Sequence, residues 1–342
     1  MKIGIVANIG AHFDAFWVEI VGRFQEWGHE VFLAASDPAE SVPSDALAGI
    51  TRRPSITNLK APGSIRGWAR KHDLDAIITN TATPSVLVRL SMHDIPVVYF
   101  AHGFHWSNQH SAAGLFWKGI EKLLVRRTSG YITINDEDQE WLRKHGGSVP
   151  TLRLRFGVGL DLEQFPLLPC PPGFNLVWIG ELTERKRPLE AVEAMKHLVN
   201  LNPKAHLFML GRGPLRSAVL ELIREYGLER SITLPGRVPP ISYLAQSRAL
   251  IHTASWEGLP RVALEALACG RPIIGYSIKG LNGLPGAALV SDGDTLALAG
   301  IASAVLDAPD SFRPQIARDE LSWENTASLI SGFVSDLLRV PD

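Results

Sequence analysis

The sequence has few of the features that mark secreted, membrane-spanning or nucleic-acid-binding proteins. Its 342 residues include only two cysteines, Cys170 and Cys269, which cannot form a disulfide scaffold and lack the spacing of zinc ligands. No apolar run approaches the roughly 18 residues that a membrane-spanning helix needs. The 34 lysines and arginines nearly balance 35 aspartates and glutamates, so the whole chain is no basic nucleic-acid binder. We therefore expect a protein of the reducing cytoplasm, without a nucleic-acid partner.

The composition is that of a folded protein with more than one core. Hydrophobic residues make up 46% of the chain and charged residues 20%. The length exceeds that of one ordinary core and suits two domains of about 150 residues each. Short apolar runs alternate with amphipathic stretches throughout, which is the pattern of parallel α/β layers.

The first half of the chain opens with one βαβ unit. Residues 2–7 predict a buried strand, residues 8–13 a loop, and residues 16–27 a helix that leads to a second strand at 30–35. Residues 37–66 are rich in proline, serine and glycine, which predicts loops with short pieces of structure. Further strands are predicted at 76–79, 97–101 and 131–134.

A proline-rich stretch at 165–174 predicts a linker between two domains, after which a second α/β series begins. The elements predicted there are strands at 176–179, 206–210, 232–234, 249–252 and 272–275, and helices at 188–199, 215–226, 260–268, 296–306 and 323–338. Open parallel sheets bind ligands at the carboxyl ends of their strands. Two Rossmann-like halves therefore predict a ligand in the cleft between them.

The strongest local signal is the run from Ser255 to Ala266, SWEGLPRVALEA. Pro260 suits the first turn of a helix, whose free N–H groups and positive dipole would form a site for a phosphate group. Glu257 precedes this helix and Glu265 lies about 7.5 Å along its axis. Two carboxylates so placed suit two hydroxyl-bearing groups that flank a diphosphate. A helix with one N-terminal acid and one solvated acid shows the same spacing.

The motifs together resemble those of retaining family 4 glycosyltransferases, which have the GT-B fold. The two glutamates eight positions apart are followed by CGRPI at 269–273, and the stretch 180–188 (GELTERKRP) looks like the diphosphate-binding loop of that family. The stretches 99–106 (YFAHGFHW) and 132–138 (ITINDED) are similar to a bacterial branch that builds capsular polysaccharides and exopolysaccharides. The resemblance covers nearly the whole chain in the right order. It implies an N-terminal acceptor-side domain at 1–165, a nucleotide-sugar domain at 166–320, and a helix at 321–342 that crosses back.

The resemblance also implies a role for each matching residue. Glu257 would contact hydroxyls of the transferred sugar, Lys186 would neutralise the diphosphate, and His102 would lie near the sugar and the acceptor. Glu265 would hold the ribose hydroxyls. The remaining implied donor-side residues are Gly180, Arg185, Arg187, Gly211, Gly213, Arg237, Val238, Gly258 and Leu259. On the acceptor side they are Gly10, His12 and His105.

One position departs from the family pattern. Many members have an arginine directly after the glycine, where this chain has Glu181, so the positive charge must come from Lys186 and its neighbouring arginines. No metal and no cofactor are expected. The Asp-x-Asp pairs at 73–75 and 292–294 precede a strand and occupy a turn, which is typical of solvated acids.

The segment 116–127 (FWKGIEKLLVRR) predicts a basic amphipathic helix. Lys118, Lys122 and Arg126 recur every four residues, with the aromatic and aliphatic residues expected on the other side. Such a helix fits an anionic membrane surface, and it equally fits a core helix with a solvated basic face. Residues 51–160 carry 15 basic and 8 acidic residues, a net charge of +7, against −8 elsewhere. The predicted acceptor side is therefore the cationic part of the chain.

Together these features predict a glycosyltransferase that moves a sugar from a nucleotide donor to a glycan or lipid-diphosphate-linked acceptor of a bacterial surface polysaccharide. The resemblance implies that the sugar keeps its anomeric configuration and that the nucleotide is UDP. The resemblance implies that the departing phosphate helps to take the acceptor's proton. It implies a cytoplasmic protein, with peripheral contact to the inner face of the cytoplasmic membrane as one option. Two alternatives share the fold: a sugar-nucleotide epimerase, and a non-catalytic subunit that binds a nucleotide sugar.

Overall fold

Two parallel sheets, each flanked by helices, organise the chain. The computed structural model describes residues 1–51, 54–104 and 112–339. Contacts divide these residues into two compact units. Unit 1 combines the described residues of 1–159 with those that follow residue 321, and unit 2 is Leu160–Leu321. The α/β expectation, with two Rossmann-like halves, is confirmed.

Unit 1 contains a seven-stranded sheet in the order β3-β2-β1-β4-β5-β6-β7. All of its neighbouring strands pair in parallel. The strands are β1 (Lys2–Val6), β2 (Glu30–Ala35), β3 (Asp45–Ala46), β4 (Ala76–Thr79), β5 (Val97–Ala101), β6 (Gly130–Thr133) and β7 (Thr151–Arg153). The helices are α1 (Ala11–Phe16), α2 (Val18–Glu26), α3 (Ala61–His72), α4 (Ala82–Ser91), α5 (Ala112–Leu124), α6 (Asp136–His145) and, from the end of the chain, α12 (Trp323–Arg339).

The last helix of the chain packs on α2, within unit 1. Arg23 of α2 forms an ion pair with Glu324 at 3.3 Å and lies over the ring of Trp323 at 5.0 Å. The next helical turns lie against the start of β6, where a Cβ on Gly130 would come within 2.9 Å of Phe333 and Leu337. The amphipathic pattern of 323–338 is explained by this packing.

Unit 2 contains a six-stranded parallel sheet in the order β10-β9-β8-β11-β12-β13. Its strands are β8 (Asn175–Ile179), β9 (His206–Leu210), β10 (Ile232–Gly236), β11 (Ala249–His252), β12 (Ile273–Tyr276) and β13 (Ala287–Val290). Its helices are α7 (Pro188–Leu201), α8 (Arg216–Glu225), α9 (Pro240–Leu244), α10 (Arg261–Ala268) and α11 (Thr295–Asp307). Strand bounds predicted for β4, β5, β9 and β11 are confirmed to the residue.

The proline-rich stretch at 165–174 was predicted to link two domains, but it lies within unit 2, where three arginines hold it. Proline has no backbone N–H, so a proline-rich stretch has too few donors for its own carbonyl groups. Arg271 donates to Pro169, Arg248 to Pro171 and Pro172, and Arg318 to Phe165, all at backbone oxygens. These side chains supply the donors that the stretch lacks.

Two predictions for unit 1 are wrong. Residues 8–13 were expected to form a loop, but α1 begins at Ala11. Phe13 is fully buried, and the Trp17 N–H donates a hydrogen bond to the Phe13 carbonyl oxygen at the end of this helix. Residues 37–66 were expected to be loops with short pieces of structure, and this is wrong for residues 61–66, where α3 begins at Ala61. Burial of Ile65 and Trp68 overrides the low helix propensity of the glycines around them.

Helix α5 is rotated relative to the sequence expectation. Its buried face carries Glu121 and Leu124, and Phe116 and Leu123 lie on the opposite face with exposed fractions of 62% and 79%. The cause is the Glu121 carboxylate, which must face inward to meet the fully buried guanidinium of Arg89. At 100° per residue the outward face then contains apolar and basic side chains together. The alternative of a core helix whose apolar side is wholly buried is therefore wrong, since Phe116 and Leu123 face outward beside the basic residues.

Candidate functional site

Three charged side chains meet beyond the carboxyl end of β11. Arg185 Nη1 and Lys186 Nζ contact the same oxygen of Glu257, at 2.7 and 2.5 Å. The Glu257 and Lys186 side chains are 13% exposed and that of Arg185 is 37% exposed. Burial works to raise the pKa of Glu257, but the neighbouring charges of Lys186 and Arg185 outweigh it and lower the pKa below its usual range. The carboxylate is therefore ionised, and it neutralises two cations of the 180–188 loop.

The 180–188 loop is fixed to the end of β11 by backbone contacts. The Thr253 hydroxyl lies 2.9 Å from the carbonyl oxygens of Lys186 and Arg187, and it accepts a hydrogen bond from the buried Trp178 indole. The Ser255 N–H donates to the Arg185 carbonyl at 2.9 Å. These bonds hold the basic residues at the same sheet edge as Glu257.

Glu265 lies on α10, whose N-cap is Pro260. Its carboxylate is 9% exposed, with one oxygen 3.4 Å from Arg261 and the other buried without a hydrogen-bond partner. Burial raises the pKa of Glu265. An unpaired buried carboxylate oxygen is an acceptor that needs a donor such as a hydroxyl group.

The glycines of the predicted donor site are required by close packing. Gly211 has a φ of +142°, and a Cβ there would lie 1.8 Å from the Gly180 carbonyl oxygen. A Cβ on Gly213 would lie 2.4 Å from the Leu182 carbonyl oxygen. Gly280, which the sequence did not single out, approaches the Gly258 carbonyl oxygen in the same way, at 2.7 Å. The loop after β9 therefore packs directly on the loop after β8, and the loop that contains Gly280 packs on the one around Gly258.

Other predicted donor-side residues lie apart from Glu257. Arg187 adopts a left-handed conformation with a φ of 47° and forms ion pairs with Asp292 at 2.6 Å and Glu190 at 3.6 Å, which raise its pKa. Arg237 is exposed after the end of β10, beside the half-buried Val238. Leu259, half-buried, completes the turn before α10. Glu181 is exposed and its side chain has no role in the cluster around Glu257.

His252 is a further member of the cluster that sequence reasoning missed. It ends β11 at 3% exposure, and its Nε2 lies 3.9 Å from Glu257. Neither ring nitrogen has a hydrogen-bond partner. Burial and the nearby Lys186 charge lower its pKa to about 4, so the ring is neutral at pH 7. A histidine within an otherwise apolar strand run was the signal that could have found it.

Unit 1 contains a cavity of about 930 Å³ at the carboxyl ends of β1, β4 and β5. It is lined by Asn8, His12, Thr51, Pro54, Ser55, Asn80, Thr81, Ala82, Thr83, Pro84, Tyr99, His102, Gly103 and Trp117. Hydroxyl, amide, imidazole and aromatic groups predominate, and no charged side chain is among these described residues. Such a lining suits a neutral polyhydroxyl ligand.

Of the predicted acceptor-side residues, two histidines line this cavity and a glycine packs beneath it. His12 and His102 line the cavity with ring centroids 5.2 Å apart. Burial lowers the pKa of His12 to about 4 and that of His102 to about 3, so both rings are neutral at pH 7. Gly10 packs beneath, where a Cβ would lie 2.2 Å from the Pro38 carbonyl oxygen. His105 lies outside the described residues.

Comparisons with known proteins agree with these observations. Residues 15–155 match the family model of Glycosyltransferase Family 4, and residues 172–286 match that of Glycosyl transferases group 1. Together with the two sheets, the matches support a GT-B glycosyltransferase of family 4. Among the described residues, no three histidine, cysteine, aspartate or glutamate side chains group so as to hold a metal ion.

Several curated relatives are glycosyltransferases. An uncharacterized glycosyltransferase of Methanocaldococcus jannaschii is 33% identical over 31% of this chain and 26% of its own length. The UDP-Gal:alpha-D-GlcNAc-diphosphoundecaprenol alpha-1,3-galactosyltransferase of Escherichia coli is 27% identical over 66% of this chain and 64% of its own. The chain therefore matches less than two thirds of the length of either relative. Glycogen synthase of Mycobacterium tuberculosis is 25% identical over 88% of this chain and 78% of its own.

Solved structures share the fold over nearly the full length. Anabaena Alr3699/HepE in complex with UDP superposes with a TM-score of 0.79 at 18% identity, covering 98% of this chain and 100% of that one. Sucrose-phosphate synthase from Thermosynechococcus elongatus gives a TM-score of 0.77 at 18% identity, with 98% and 99% coverage. The expected GT-B fold is confirmed.

Proposed function

We propose that the protein is a retaining glycosyltransferase that takes a sugar from a UDP-linked donor and adds it to a glycan or a lipid-diphosphate-linked acceptor of a bacterial surface polysaccharide. The observation that carries the proposal is the meeting of Lys186 and Arg185 at Glu257, beyond the carboxyl end of β11. The family matches and the named relatives favour sugar transfer over the epimerase and the non-catalytic alternatives.

The donor site follows from the charges of this cluster. Transfer from a nucleotide sugar leaves a diphosphate whose negative charge grows as the bond breaks, and fixed cations stabilise it. Lys186 and Arg185 supply these cations and exchange part of their contact with Glu257 for the phosphates. The N-terminus of α10 supports the same charge with its N–H groups. Glu257 then accepts hydrogen bonds from sugar hydroxyls.

The nucleoside end of the donor is assigned to Glu265. Its unpaired oxygen suits the vicinal hydroxyls of a ribose, because a carboxylate accepts two such bonds. Uridine is proposed from the resemblance, and the complexes of the Anabaena protein with UDP are in keeping with it. Retention is proposed from the resemblance, with attack on the same face as the departing phosphate, which takes the acceptor's proton. The charged neighbours of Glu257 in unit 2 are Lys186, Arg185 and His252, so the cluster offers no carboxylate pair for a double displacement.

The acceptor is assigned to the cavity of unit 1. Its described lining residues are mostly polar or aromatic and none is charged, and with Trp117 and Tyr99 as flat surfaces they suit sugar rings. The Escherichia coli relative is named for an acceptor linked to diphosphoundecaprenol, which supports a lipid-linked glycan as one candidate. The proposed chemistry uses no metal, so transfer is expected to continue in EDTA.

The outward face of α5 supports contact with an anionic membrane. Leu115, Phe116 and Leu123 are 61%, 62% and 79% exposed, and Lys122 and Arg126 are exposed beside them. The acid of this helix, Glu121, is buried and neutralised by its ion pair. Exposed apolar and basic side chains on one helix face are what a membrane-surface helix presents. In the described chain, no helix combines the length and the apolarity needed to cross a bilayer.

A second exposed apolar element belongs to the same unit. Ile56 and Leu59 of a short 3-10 helix are 83% and 82% exposed, next to Lys60. The residues just before this helix, Pro54 and Ser55, line the cavity, as Trp117 of α5 does. Both apolar elements thus adjoin the proposed acceptor cavity, which would place it next to a lipid surface.

Donor binding is tested by thermal shift with UDP-, GDP- and dTDP-sugars, since a ligand of the folded state raises its stability. We expect stabilisation by UDP-sugars, and loss of it in Lys186→Ala. The matched control Lys204→Ala removes an exposed lysine of the same unit and should bind as the wild type does. A Lys186→Ala or Glu257→Ala protein that folds and retains full activity would refute the site assignment.

Reaction type is tested by incubating the enzyme with a UDP-sugar in the absence of acceptor. A transferase leaves the sugar configuration unchanged under these conditions, whereas an epimerase interconverts it. With a lipid-linked acceptor, the anomeric configuration of the product decides between retention and inversion.

Membrane contact is tested by sedimentation with vesicles of phosphatidylglycerol and phosphatidylcholine. Phe116→Asp and the triple change of Lys118, Lys122 and Arg126 to Glu should each abolish co-sedimentation. Leu296→Asp is the control, because Leu296 is 63% exposed in unit 2 and has no proposed lipid contact. Unaltered sedimentation of the triple variant would exclude this surface.

A further inference from the structure

The Asn80 carboxamide oxygen receives two ring N–H groups beside the cavity of unit 1. The Trp17 indole Nε1 lies 3.1 Å from Oδ1, and the His102 Nε2 lies 3.1 Å from the same atom. Trp17 is fully buried and Asn80 is 1% exposed, so water cannot compete for the contact between them, whereas His102 is half-buried on the cavity wall. The three side chains come from α1–α2, the end of β4 and the end of β5.

These contacts determine the tautomer of His102. An indole N–H can only donate, so the oxygen of the Asn80 amide, not its nitrogen, must face Trp17. The same oxygen then faces His102 Nε2, which must carry a proton to contact it. The neutral imidazole has one proton, and its Nδ1 therefore keeps a lone pair and can only accept.

The surroundings keep this ring neutral and in place. The His102 ring stacks on Phe100 with centroids 4.3 Å apart and an interplanar angle of 17°, and His12 and Phe16 face it from α1. His12 is the one titratable side chain among these ring contacts, and no charged side chain is among the described cavity lining. With a pKa of about 3, the ring is a weak base that accepts hydrogen bonds without taking up the proton.

We propose that Asn80, itself held by Trp17, is a positioning residue that fixes His102 in its Nε2–H form, so that Nδ1 accepts a hydrogen bond from a substrate hydroxyl. The role in the reaction rests on the proposed function. An acceptor-only nitrogen selects a hydroxyl donor and rejects an ether or a deoxy position, because neither offers a proton.

The tautomer is measured by long-range proton–nitrogen correlation of the histidine rings in the full chain. The Hδ2 proton couples strongly to Nε2 alone, so the spectrum assigns each nitrogen, and His102→Gln identifies the His102 signals. We expect a protonated Nε2 and a bare Nδ1 in the wild type. Asn80→Leu, of similar volume, should populate the Nδ1–H form, whereas Asn80→Asp keeps an acceptor oxygen and should keep the wild-type tautomer.

Kinetics separate positioning from a structural role. Asn80→Leu should lower kcat about tenfold, the effect of one misplaced hydrogen bond, with little change in the KM for the donor. Asn80→Asp should restore most of the loss. The control Asn202→Leu removes a comparably buried asparagine of unit 2, 9% exposed, and should lower stability without changing kcat or the His102 spectrum.

Each outcome decides a different point. A wild-type spectrum with Nδ1 protonated overturns the inference and leaves the proposed function intact. The expected spectrum with full kcat in Asn80→Leu overturns the positioning role alone. The expected spectrum in a protein that transfers no sugar from any nucleotide donor refutes the proposed function, and with it the role in the reaction, but confirms the tautomer.

Discussion

The buried ion pair beneath α5 offers a stringent test of how unit 1 is held together. Arg89 is fully buried, and its two terminal nitrogens contact the two Glu121 oxygens at 2.5 and 2.9 Å. Tyr131 donates to Glu121, and Arg89 lies over the Tyr99 ring at 4.6 Å. We predict that Glu121→Leu and Arg89→Met each destabilise unit 1, whereas the double variant Arg89→Met/Glu121→Leu restores much of the loss.

The magnitude follows from desolvation. Removing one member of a buried pair leaves the other charge without its partner, which costs about 3–5 kcal/mol. Replacing both members by apolar residues of similar volume is often neutral, because no charge remains to be desolvated. For a unit of this size, the single variants should lower Tm by about 6–20 °C. A coupling energy of about 3 kcal/mol between the two sites should emerge from the cycle.

Urea unfolding, followed by tryptophan fluorescence, measures these differences, and the transitions of the two units are fitted separately because two-state behaviour is not assured for two units. Glu140→Gln is the control, since it breaks an exposed pair with Arg143 on α6 and should leave Tm unchanged. Single variants within about 1 kcal/mol of the wild type would contradict the reasoning. So would a double variant less stable than either single one.

Further predictions concern unit 2. Glu265→Gln should raise stability at pH 7, because the raised pKa reflects a desolvated charge, and should weaken UDP binding about 10- to 100-fold in calorimetry. His252→Leu should stabilise unit 2, since both buried ring nitrogens lack hydrogen-bond partners. Each kcal/mol gained in the free energy of unfolding should raise Tm by about 2–4 °C, and an unchanged or lower Tm in scanning fluorimetry would refute this. The lowered pKa of Glu257 contributes stability above pH about 4.5 that is lost as the pH falls further, and Glu257→Gln should remove this part of the pH–stability curve. Gly211→Ala places a Cβ against the Gly180 carbonyl and should prevent unit 2 from folding, which the loss of its unfolding transition would show.

The strands were predictable because they are buried on both faces. In a parallel sheet covered by helices, a strand is a continuous apolar run, and β4, β5, β9 and β11 are such runs bounded by polar or turn residues. Strand β13 was missed because Ala287–Val290 is a run of only four residues, two of which are alanines with low β-propensity.

Local patterns failed where a distant partner decides the structure. The rotation of α5 depends on Arg89, which lies 32 positions before Glu121, and no periodicity within the helix reveals that pairing. The apolar positions alone left Phe116 and Leu123 open to a core or a membrane surface, and the buried carboxylate turns both outward. One buried charge outweighed two apolar side chains, since an unpaired buried ion costs more than exposing them.

The candidate site was predictable in its members but not in its contacts. The spacing of Glu257 and Glu265 reflects one turn and one helix, which the sequence encodes locally. The contact of Lys186 with Glu257 requires β8 and β11 to be neighbours in the sheet. The sequence of neither segment reveals this strand order. Asn80 was invisible for a similar reason, because its function arises from Trp17 and His102, which belong to other strands and helices.

The return of α12 to α2 has a consequence for synthesis of the chain. Unit 1 contains residues from both ends of the described chain, and residues 160–321 emerge from the ribosome between them. Helix α2 ends at Glu26 and α12 begins at Trp323. At about 5–20 residues per second, α2 therefore waits for roughly 15–60 s before its partner helix exists. During that interval the surface that later receives Trp323 and Phe333 is open to solvent. A nascent-chain protease assay should therefore find unit 1 cleavable until the last helix is released, while unit 2 is already resistant.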